Sequence, residues 1–468
     1  MSNLKSDEFV SDPRIQKARE LVLEALSDHQ AKLTRIADAD PDTADHYDAL
    51  IDQFKQARGN PLFYPYIGSG FGNGTLVELK DGSVKYDMIS GIGVHIMGHS
   101  NKQLLASSFD AMLGDTIMQG NLQQNAESLE LMQRFIRLAA KNGAKIEHCF
   151  LSTSGATANE NALKIAMQKN APASRVLAFE HCFMGRTLAL ASLTDKDAYR
   201  VGLPKTVDVD YIPFYDANDH LGSIRRAVKA LETCIQRYPK KHALMCFEMI
   251  QGEGGYYPGH HDFFYALMMI LKQHHIAVFV DEIQSFGRTE NAFAFQTFKL
   301  DKFIDILCVG KMTQVCATLF VDEYQWKPGL ISQTFTGATA SIYAANTILA
   351  ELENGDYFGE HGRNMQIAQV FASEFDAMNE RHPGMISGPY GYGIMIAFTA
   401  YDGSLDMTKK AIHALYKNGV IAFVAGKDPY RMRFLPSAAV ITDDDIKNVC
   451  EILERTLLDI HEEANKED

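Results

Sequence analysis

The sequence predicts an α/β protein with a large domain on a mostly parallel central sheet and a smaller α+β domain beside it. Three observations lead there. Seven short apolar runs recur through the middle of the chain, at 148–151, 175–179, 207–212, 243–248, 276–281, 305–309 and 318–321. Helical stretches separate them, and strands joined through helices form parallel sheets covered on both faces. The length of 468 residues exceeds what one hydrophobic core usually serves, so more than one domain is expected.

Taken in order, residues 13–60 are rich in Ala, Leu, Gln and charge and read as helical. The glycine-rich GSGFGNG at 68–74 breaks that pattern. Residues 76–79, the pair Asp81-Gly82 and residues 84–89 then read as strand, tight turn and strand. After the seven runs a long helical stretch begins near residue 340, followed by mixed segments. Residues 101–340 are expected to form the large domain, with 1–100 and 341–468 combining into the small one. There is no internal repeat or low-complexity linker, and only the first ten or so residues and the tail EEANKED read as disordered.

Composition excludes several function classes. Lys+Arg minus Asp+Glu is 45 − 59 = −14. A chain this acidic, without a basic run, is a poor nucleic-acid binder, because neutralising phosphates supplies most of that affinity. None of the seven cysteines forms a CxxC pair, and most sit among apolar neighbours, as reduced core thiols do. The polar start MSNLKSDEFVSDPRIQ lacks the apolar core of a secretory signal, and no run approaches the ~20 apolar residues of a membrane span. A cytoplasmic protein without a membrane partner is expected. His260-His261 and His274-His275 lack metal-type spacing to Cys or acidic residues, so no metal site is expected.

Ligands of open α/β sheets bind beyond the carboxyl ends of strands, so the residues that follow the apolar runs carry the functional reading. Lys311 ends the run at 305–309; alone it reads as a surface lysine, but a desolvated lysine is also the amine that condenses with an aldehyde. Asp281-Glu282 ends another run, 30 residues earlier. Alone the pair reads as a solvated strand end or a helix cap. A nucleotide hydrolase would need GxxxxGK[ST], and Gly310-Lys311 is followed by Met with no glycine five positions before Gly310. A buried carboxylate can instead keep a pyridine nitrogen protonated. Ser154-Gly155-Ala156 opens a helical stretch, either as a plain N-cap or as an anion cradle. Phe183-Met-Gly-Arg186-Thr187 brings an aromatic face and a guanidinium together. The glycines at 68–74 miss the spacing of GxGxxG and precede strands, so they are not read as a dinucleotide fingerprint.

Together and in this order these segments resemble the class III (ornithine/acetylornithine/4-aminobutyrate-type) aminotransferases, over about residues 60–440. The motifs are Gly91-Ile-Gly-Val with Gly98-His99, Ser154-Gly155-Ala156, Phe183-Met-Gly-Arg-Thr187, Glu248-Met-Ile-Gln-Gly-Glu253, Val280-Asp-Glu-Ile-Gln284, Gly287-Arg-Thr289, Gly310-Lys311, Thr334-Phe335 and Arg433-Phe-Leu-Pro436. The resemblance implies fold type I, pyridoxal 5′-phosphate (PLP) as cofactor, no metal, and a homodimer with shared active sites. It makes Lys311 the Schiff-base lysine and Asp281 the partner of the pyridine nitrogen, with Gln284 near the ring hydroxyl. Phe183 matches the stacking aromatic, Ser154, Gly155 and Ala156 the phosphate cradle, and Glu248 a further cofactor contact. Thr334 matches a threonine that reaches the phosphate from the neighbouring subunit. Arg433 matches the grip on the substrate α-carboxylate, Glu253 a glutamate that pairs with that arginine, and Arg186 the arginine that takes a distal carboxylate. The implied reaction moves an amino group from an ω-amino or basic donor to a 2-oxo acid, 2-oxoglutarate first; an aminomutase, epimerase or decarboxylase on the same scaffold, or a non-catalytic relative, are the alternatives.

The chain departs from the family pattern around the pocket. Val309-Gly-Lys-Met-Thr-Gln314 replaces the usual AKG with following glycines, and Gln284-Ser-Phe-Gly287 is one residue shorter than QTGFG. Thr334-Phe-Thr-Gly-Ala-Thr339 replaces TFGGNP, Met184 replaces the usual His, and Met249 the usual Pro. These changes mark a divergent branch.

Overall fold

The computed structural model describes residues 4–115 and 118–467. All seven apolar runs become strands of one sheet: Ile146–Ser152 (β1), Arg175–Phe179 (β2), Val209–Ile212 (β3), His242–Phe247 (β4), Ala277–Asp281 (β5), Ile306–Val309 (β6) and Cys316–Val321 (β7). Their order is β1-β7-β6-β5-β4-β2-β3. The pairs β6/β5, β5/β4, β4/β2 and β2/β3 are parallel. β7 runs antiparallel to both its neighbours, pairing Val309 with Ala317 and Ser152 with Cys316. One antiparallel strand inside a parallel sheet leaves β1 through β6 pointing the same way, so their carboxyl ends share one edge.

The helix Gly155–Lys169 (α1) starts just past β1, where Ser154 caps it and accepts from Thr157 N at 3.1 Å. Its inner face is mostly small (Ala158, Ala162, Ala166), so the helix lies close on the sheet against Val176, Cys246 and Phe279. On further helices, His220–Arg237 (α2) and His261–Gln273 (α3), apolar residues are likewise buried. Phe263 and Phe264 of α3 meet the strand residues Phe179 and Phe247 with ring centroids 5.4 and 5.7 Å apart. Truncating one such core aromatic to Ala costs roughly 3–5 kcal/mol.

The chain forms two compact units. The larger holds Asp115–Met365 with Tyr390–Met395 and contains the seven-stranded sheet. In the other, the segment ending at Gly114 joins Gln366–Pro389 and the chain from Ile396 onward. It carries a sheet of Gly68–Asn73, Leu76–Leu79, Val84–Asp87 and Val420–Ile421, and a ladder in which Tyr430–Phe434 pairs with Phe423–Gly426 and with Met395–Ala400.

Three local expectations are corrected. The glycine-rich 68–74 segment is not merely a break: Gly68–Asn73 is a strand, antiparallel to Leu76–Leu79. A Cβ on Gly72 would lie 2.4 Å from Leu76 O and 2.5 Å from His99 Cβ, so this strand needs glycine for close approach rather than for freedom. The polar N-terminus contains the helix Lys5–Val10, and the last helix, Asp443–Glu467, runs through the tail. Strong helix formers (Glu, Lys, Ala) at the tail outweigh its polar character.

Candidate active site

The carboxyl ends of β2, β4, β5 and β6 and the start of α1 surround a cavity of about 330 Å3. Gly155, Ala156, Phe183, Arg186, Glu248, Asp281, Gln284 and Lys311 line it, together with Asn159, Met184, Gly185 and Ile283. Eight of the sequence-predicted residues thus converge from five chain segments. Ser154 stands behind them as the cap of α1.

Asp281 is fully buried at the end of β5. One oxygen accepts from Ile283 N at 2.9 Å and the other from Asn159 Nδ2 at 2.7 Å. Burial raises its pKa, while those two donors and the Lys311 ammonium pull it back. Glu248 follows β4; its oxygens accept from Phe183 N and Gly252 N, both at 2.9 Å. Burial first, and then the Asp281 charge, push Glu248 up to about 8. Burial thus favours the neutral form of both carboxyls, and at a pKa of about 8 Glu248 keeps its proton at neutral pH.

Lys311 follows Gly310 at the end of β6, with φ 53 in the left-handed region. For a residue with a side chain that conformation costs about 1–2 kcal/mol, so neighbouring packing holds it there. Its loop is locked: Thr313 Oγ1 donates to Val315 O at 2.7 Å, and Met312 is fully buried. Gly287, with φ 73, sits so close to Met312 that a Cβ there would meet its sulfur at 2.6 Å. The shortened 284–287 loop and the unusual Met312 thus pack directly against each other. Gly252 is packed in the same way, where a Cβ would lie 2.8 Å from Gln284 Oε1.

Arg186 lies on the exposed rim with its guanidinium 4.1 Å from the centre of the Tyr199 ring. Phe183 meets the same ring edge-on at 6.1 Å. Met184, where the family has His, contributes its backbone: its carbonyl accepts from Asn159 Nδ2 at 2.8 Å and its N–H donates to Thr194 Oγ1 at 3.0 Å. Its side chain joins the apolar core, which explains why the imidazole is dispensable here.

The remaining predicted residues lie elsewhere. Thr334 lines a different cavity of about 400 Å3 with Gly120, Asn121, Ser332 and Phe335. Glu253 is half-buried in the short helix Gly252–Gly255. Arg433 belongs to the other compact unit, where it is buried on Tyr430–Phe434 with its guanidinium 5.3 Å from the Phe423 ring. Sequence reasoning missed Asn159 and Tyr199. Asn159 carried a signal: an Asn in the middle of a helix whose inner face is apolar is a costly choice unless it has a fixed partner.

Residues 66–457 match the family model described as aminotransferase class-III. The chain belongs to the class-III aminotransferases. An acetylornithine aminotransferase of Eremothecium gossypii is 28% identical over 388 residues, covering 80% of this chain and 86% of that protein. A diaminobutyrate–2-oxoglutarate transaminase of Vibrio parahaemolyticus is 26% identical over 397 residues, covering 82% and 91%. A lysine aminotransferase from M. tuberculosis superposes with a TM-score of 0.76 at 23% identity, covering 87% of this chain and 99% of that one, a likeness in fold. The aminotransferase has fold type I and is a PLP-dependent transaminase.

The cavity fits that cofactor. Asn159 Oδ1 is buried with no hydrogen-bond partner among the described residues, beside a carboxylate that burial makes costly to ionise, so the floor is built for a cationic ring edge. At the opposite requirement, an anion site, Gly155 at the start of α1 packs so tightly that a Cβ would meet Ile283 Cδ1 at 2.7 Å, and the helix start offers N–H groups and a favourable dipole. Among the described residues no helix is long and apolar enough to cross a membrane.

Proposed function

We propose that this aminotransferase transfers the terminal amino group of an ω-amino or basic donor, of the acetylornithine or diaminobutyrate kind, to 2-oxoglutarate. The observation that carries the reading is the set of buried Asp281, Asn159 and Glu248 with half-buried Lys311 around one cavity, and Arg186 on the rim. When bound, PLP supplies an aldehyde for amine exchange and a ring that accepts the electron pair left at the substrate carbon.

The protein's residues supply the rest. Lys311 offers the primary amine that holds the cofactor and, when free, moves a proton between the substrate carbon and its acceptor position. Asp281, whose charged form Ile283 N–H, Asn159 and Lys311 favour against burial, would hold a proton on the pyridine nitrogen. Asn159 fixes the Asp281 carboxylate through one N–H and anchors itself on Met184 O through the other. Phe183 stacks on the ring, Gln284 takes the ring hydroxyl and Glu248 supports that side as a neutral acid. Ser154, Gly155 and Ala156 hold the phosphate, joined by Thr334 of a neighbouring copy in a homodimer. Arg433 binds the α-carboxylate, Glu253 pairs with Arg433 when that carboxylate is elsewhere, and Arg186 takes the distal carboxylate of the acceptor.

The N- and C-terminal segments serve as the small domain of a soluble cytoplasmic enzyme. A donor panel (N-acetylornithine, ornithine, 2,4-diaminobutyrate, lysine, 4-aminobutyrate) with 2-oxoglutarate, read as glutamate formed, tests the proposal. Glutamate from at least one of these ω-amines supports it; glutamate only from α-amino acids without an ω-amine overturns the donor class.

A further inference from the structure

We propose that His220, His260 and Asp262 form a binding site for a divalent transition-metal ion of the Zn2+ class, clipping the start of α2 to the start of α3. His220 is the first residue of α2, His260 caps α3, and Asp262 stands in the first turn of α3. The three ligand atoms lie within 4.8 Å of one another. Asp262 Oδ2 is 3.6 Å from His220 Nε2 and 3.7 Å from His260 Nδ1.

Those two separations are too long for hydrogen bonds, so the carboxylate oxygen faces both imidazoles without bonding to either. They match a shared ion instead. Zn–N and Zn–O bonds of about 2.0–2.2 Å at tetrahedral angles set ligand atoms roughly 3.3–3.5 Å apart. Closing by a few tenths of an ångström on the two carboxylate edges, with the two imidazole nitrogens drawn together from within 4.8 Å, would place the ion. Two imidazoles and one carboxylate are a borderline donor set that favours Zn2+ over Ca2+ or Mg2+, with the fourth position left to water.

The rings are held ready. Tyr215 OH pairs with His220 Nδ1 at 2.9 Å, which leaves Nε2 turned to the carboxylate. Such a second contact on a ligating imidazole fixes its tautomer and orientation. The Tyr215 ring also stacks on His260, with centroids 5.8 Å apart and planes at 24°. The two imidazoles stand edge to face, 4.7 Å apart. Asp262 N–H donates to His260 Nδ1 at 3.2 Å, a long bond whose lone pair the ion would take over. Two helix N-termini disfavour a cation there. The carboxylates of Asp262 and Asp216, which both act on the Tyr215 hydroxyl, oppose that field.

A second group, Glu147, His148 and Asp322, has the same ligand spread but one imidazole. His148 Nε2 there is hydrogen-bonded to Asp322 Oδ1 at 3.0 Å, a contact in which the ring nitrogen carries the proton, and no second imidazole joins it, so it serves as the control. The spacing of His260-His261 hid the site, because the third ligand comes from another helix 40 residues earlier.

The test is calorimetric titration of chelator-treated PLP-loaded enzyme with ZnCl2, with CoCl2 as a spectroscopic probe. One Zn2+ per chain, a raised Tm, and visible Co2+ bands of a low-coordinate site are expected. His220→Ala and Asp262→Asn should each weaken binding more than tenfold, and Tyr215→Phe about tenfold. His148→Ala should leave binding intact, and turnover and the cofactor absorbance of every variant should match wild type, which certifies folding. Absence of saturable binding, binding that survives loss of His220 and Asp262, or binding lost in His148→Ala would overturn the assignment.

Discussion

Asp281 and Glu248, on the floor of the cavity, are each fixed by two hydrogen bonds from backbone or buried amide donors, whereas Arg186, on the rim, rests against the face of Tyr199. The floor is tethered to strand ends and the first turn and a half of α1. The rim hangs on the loop after β2. Groups that must not move relative to the reacting atoms sit where the backbone is buried in the sheet. Groups that sort substrates sit where a side-chain contact can be exchanged without disturbing it.

The two floor residues proposed to act on the reacting atoms, Lys311 and Asp281, should therefore fail catastrophically. In the proposed roles, Lys311→Ala removes both the amine that holds the cofactor and the proton carrier, so turnover should fall roughly 10^4-fold or more. The visible cofactor band of the purified enzyme should disappear; a borohydride-reducible band that persists would assign the amine elsewhere. Asp281→Asn leaves Lys311 and Asn159 facing a neutral group. Removing one member of a buried charge pair costs about 3–5 kcal/mol, which is a hundred- to a thousandfold or more in rate if it falls on the transition state. Cofactor should remain bound, and near-normal turnover would contradict the pairing with the ring nitrogen.

The same division explains what was legible in the sequence. Every strand of the central sheet announced itself as an apolar run, most plainly β4, β5 and β6, whose residues are buried throughout. Strand ends drew attention to Phe183, Asp281 and Lys311, but their roles, and Glu248 altogether, followed only from the motifs taken together in order. Gly68–Asn73 was opaque because glycine there serves close approach to Leu76 and His99, which no local pattern reveals. Asn159 was visible only as a polar residue in an apolar helix face, and its partners, Asp281 and Met184, lie 122 and 25 residues away. Tyr199 and the His220–His260–Asp262 group depend on loops brought together by the sheet, so spacing along the chain says nothing of them.

Asn159 tests how far the floor extends. Asn159→Ala withdraws one hydrogen bond from the ionised carboxylate, an interaction worth about 1.5–3 kcal/mol, so a ten- to hundredfold loss in turnover is expected. A positioning role also predicts a shift in the pH dependence of the cofactor absorbance. A variant that loses only thermal stability would place Asn159 among structural residues. On the rim, Tyr199→Leu removes the ring beneath the Arg186 guanidinium, a contact worth about 0.5–1 kcal/mol at an exposed site. KM for 2-oxoglutarate should rise a few-fold with kcat nearly unchanged; a fall in kcat alone would move Tyr199 from rim to floor.

Glu248 separates the two regions most finely, because its replacement should barely touch chemistry yet alter stability. In the apoprotein its pKa is pushed up to about 8 from 4.5, chiefly by burial, and Glu282 is pushed up to about 7 for the same reason. The folded protein therefore binds more protons than the unfolded chain between pH 4.5 and 8. Their contribution is fully present below the unfolded value and is lost as pH rises through the folded one. The Tm of the apoprotein should fall from pH 5 toward pH 8. Glu248→Gln keeps one of the two accepting oxygens and removes the titration, so its Tm should decline less steeply, leaving the part due to Glu282 and the other buried carboxyls, Asp281 among them. Thermal melts of both apoproteins across that range decide it: parallel slopes would mean that Glu248 is already ionised at neutral pH, and that the floor holds two negative charges beside Lys311 rather than one.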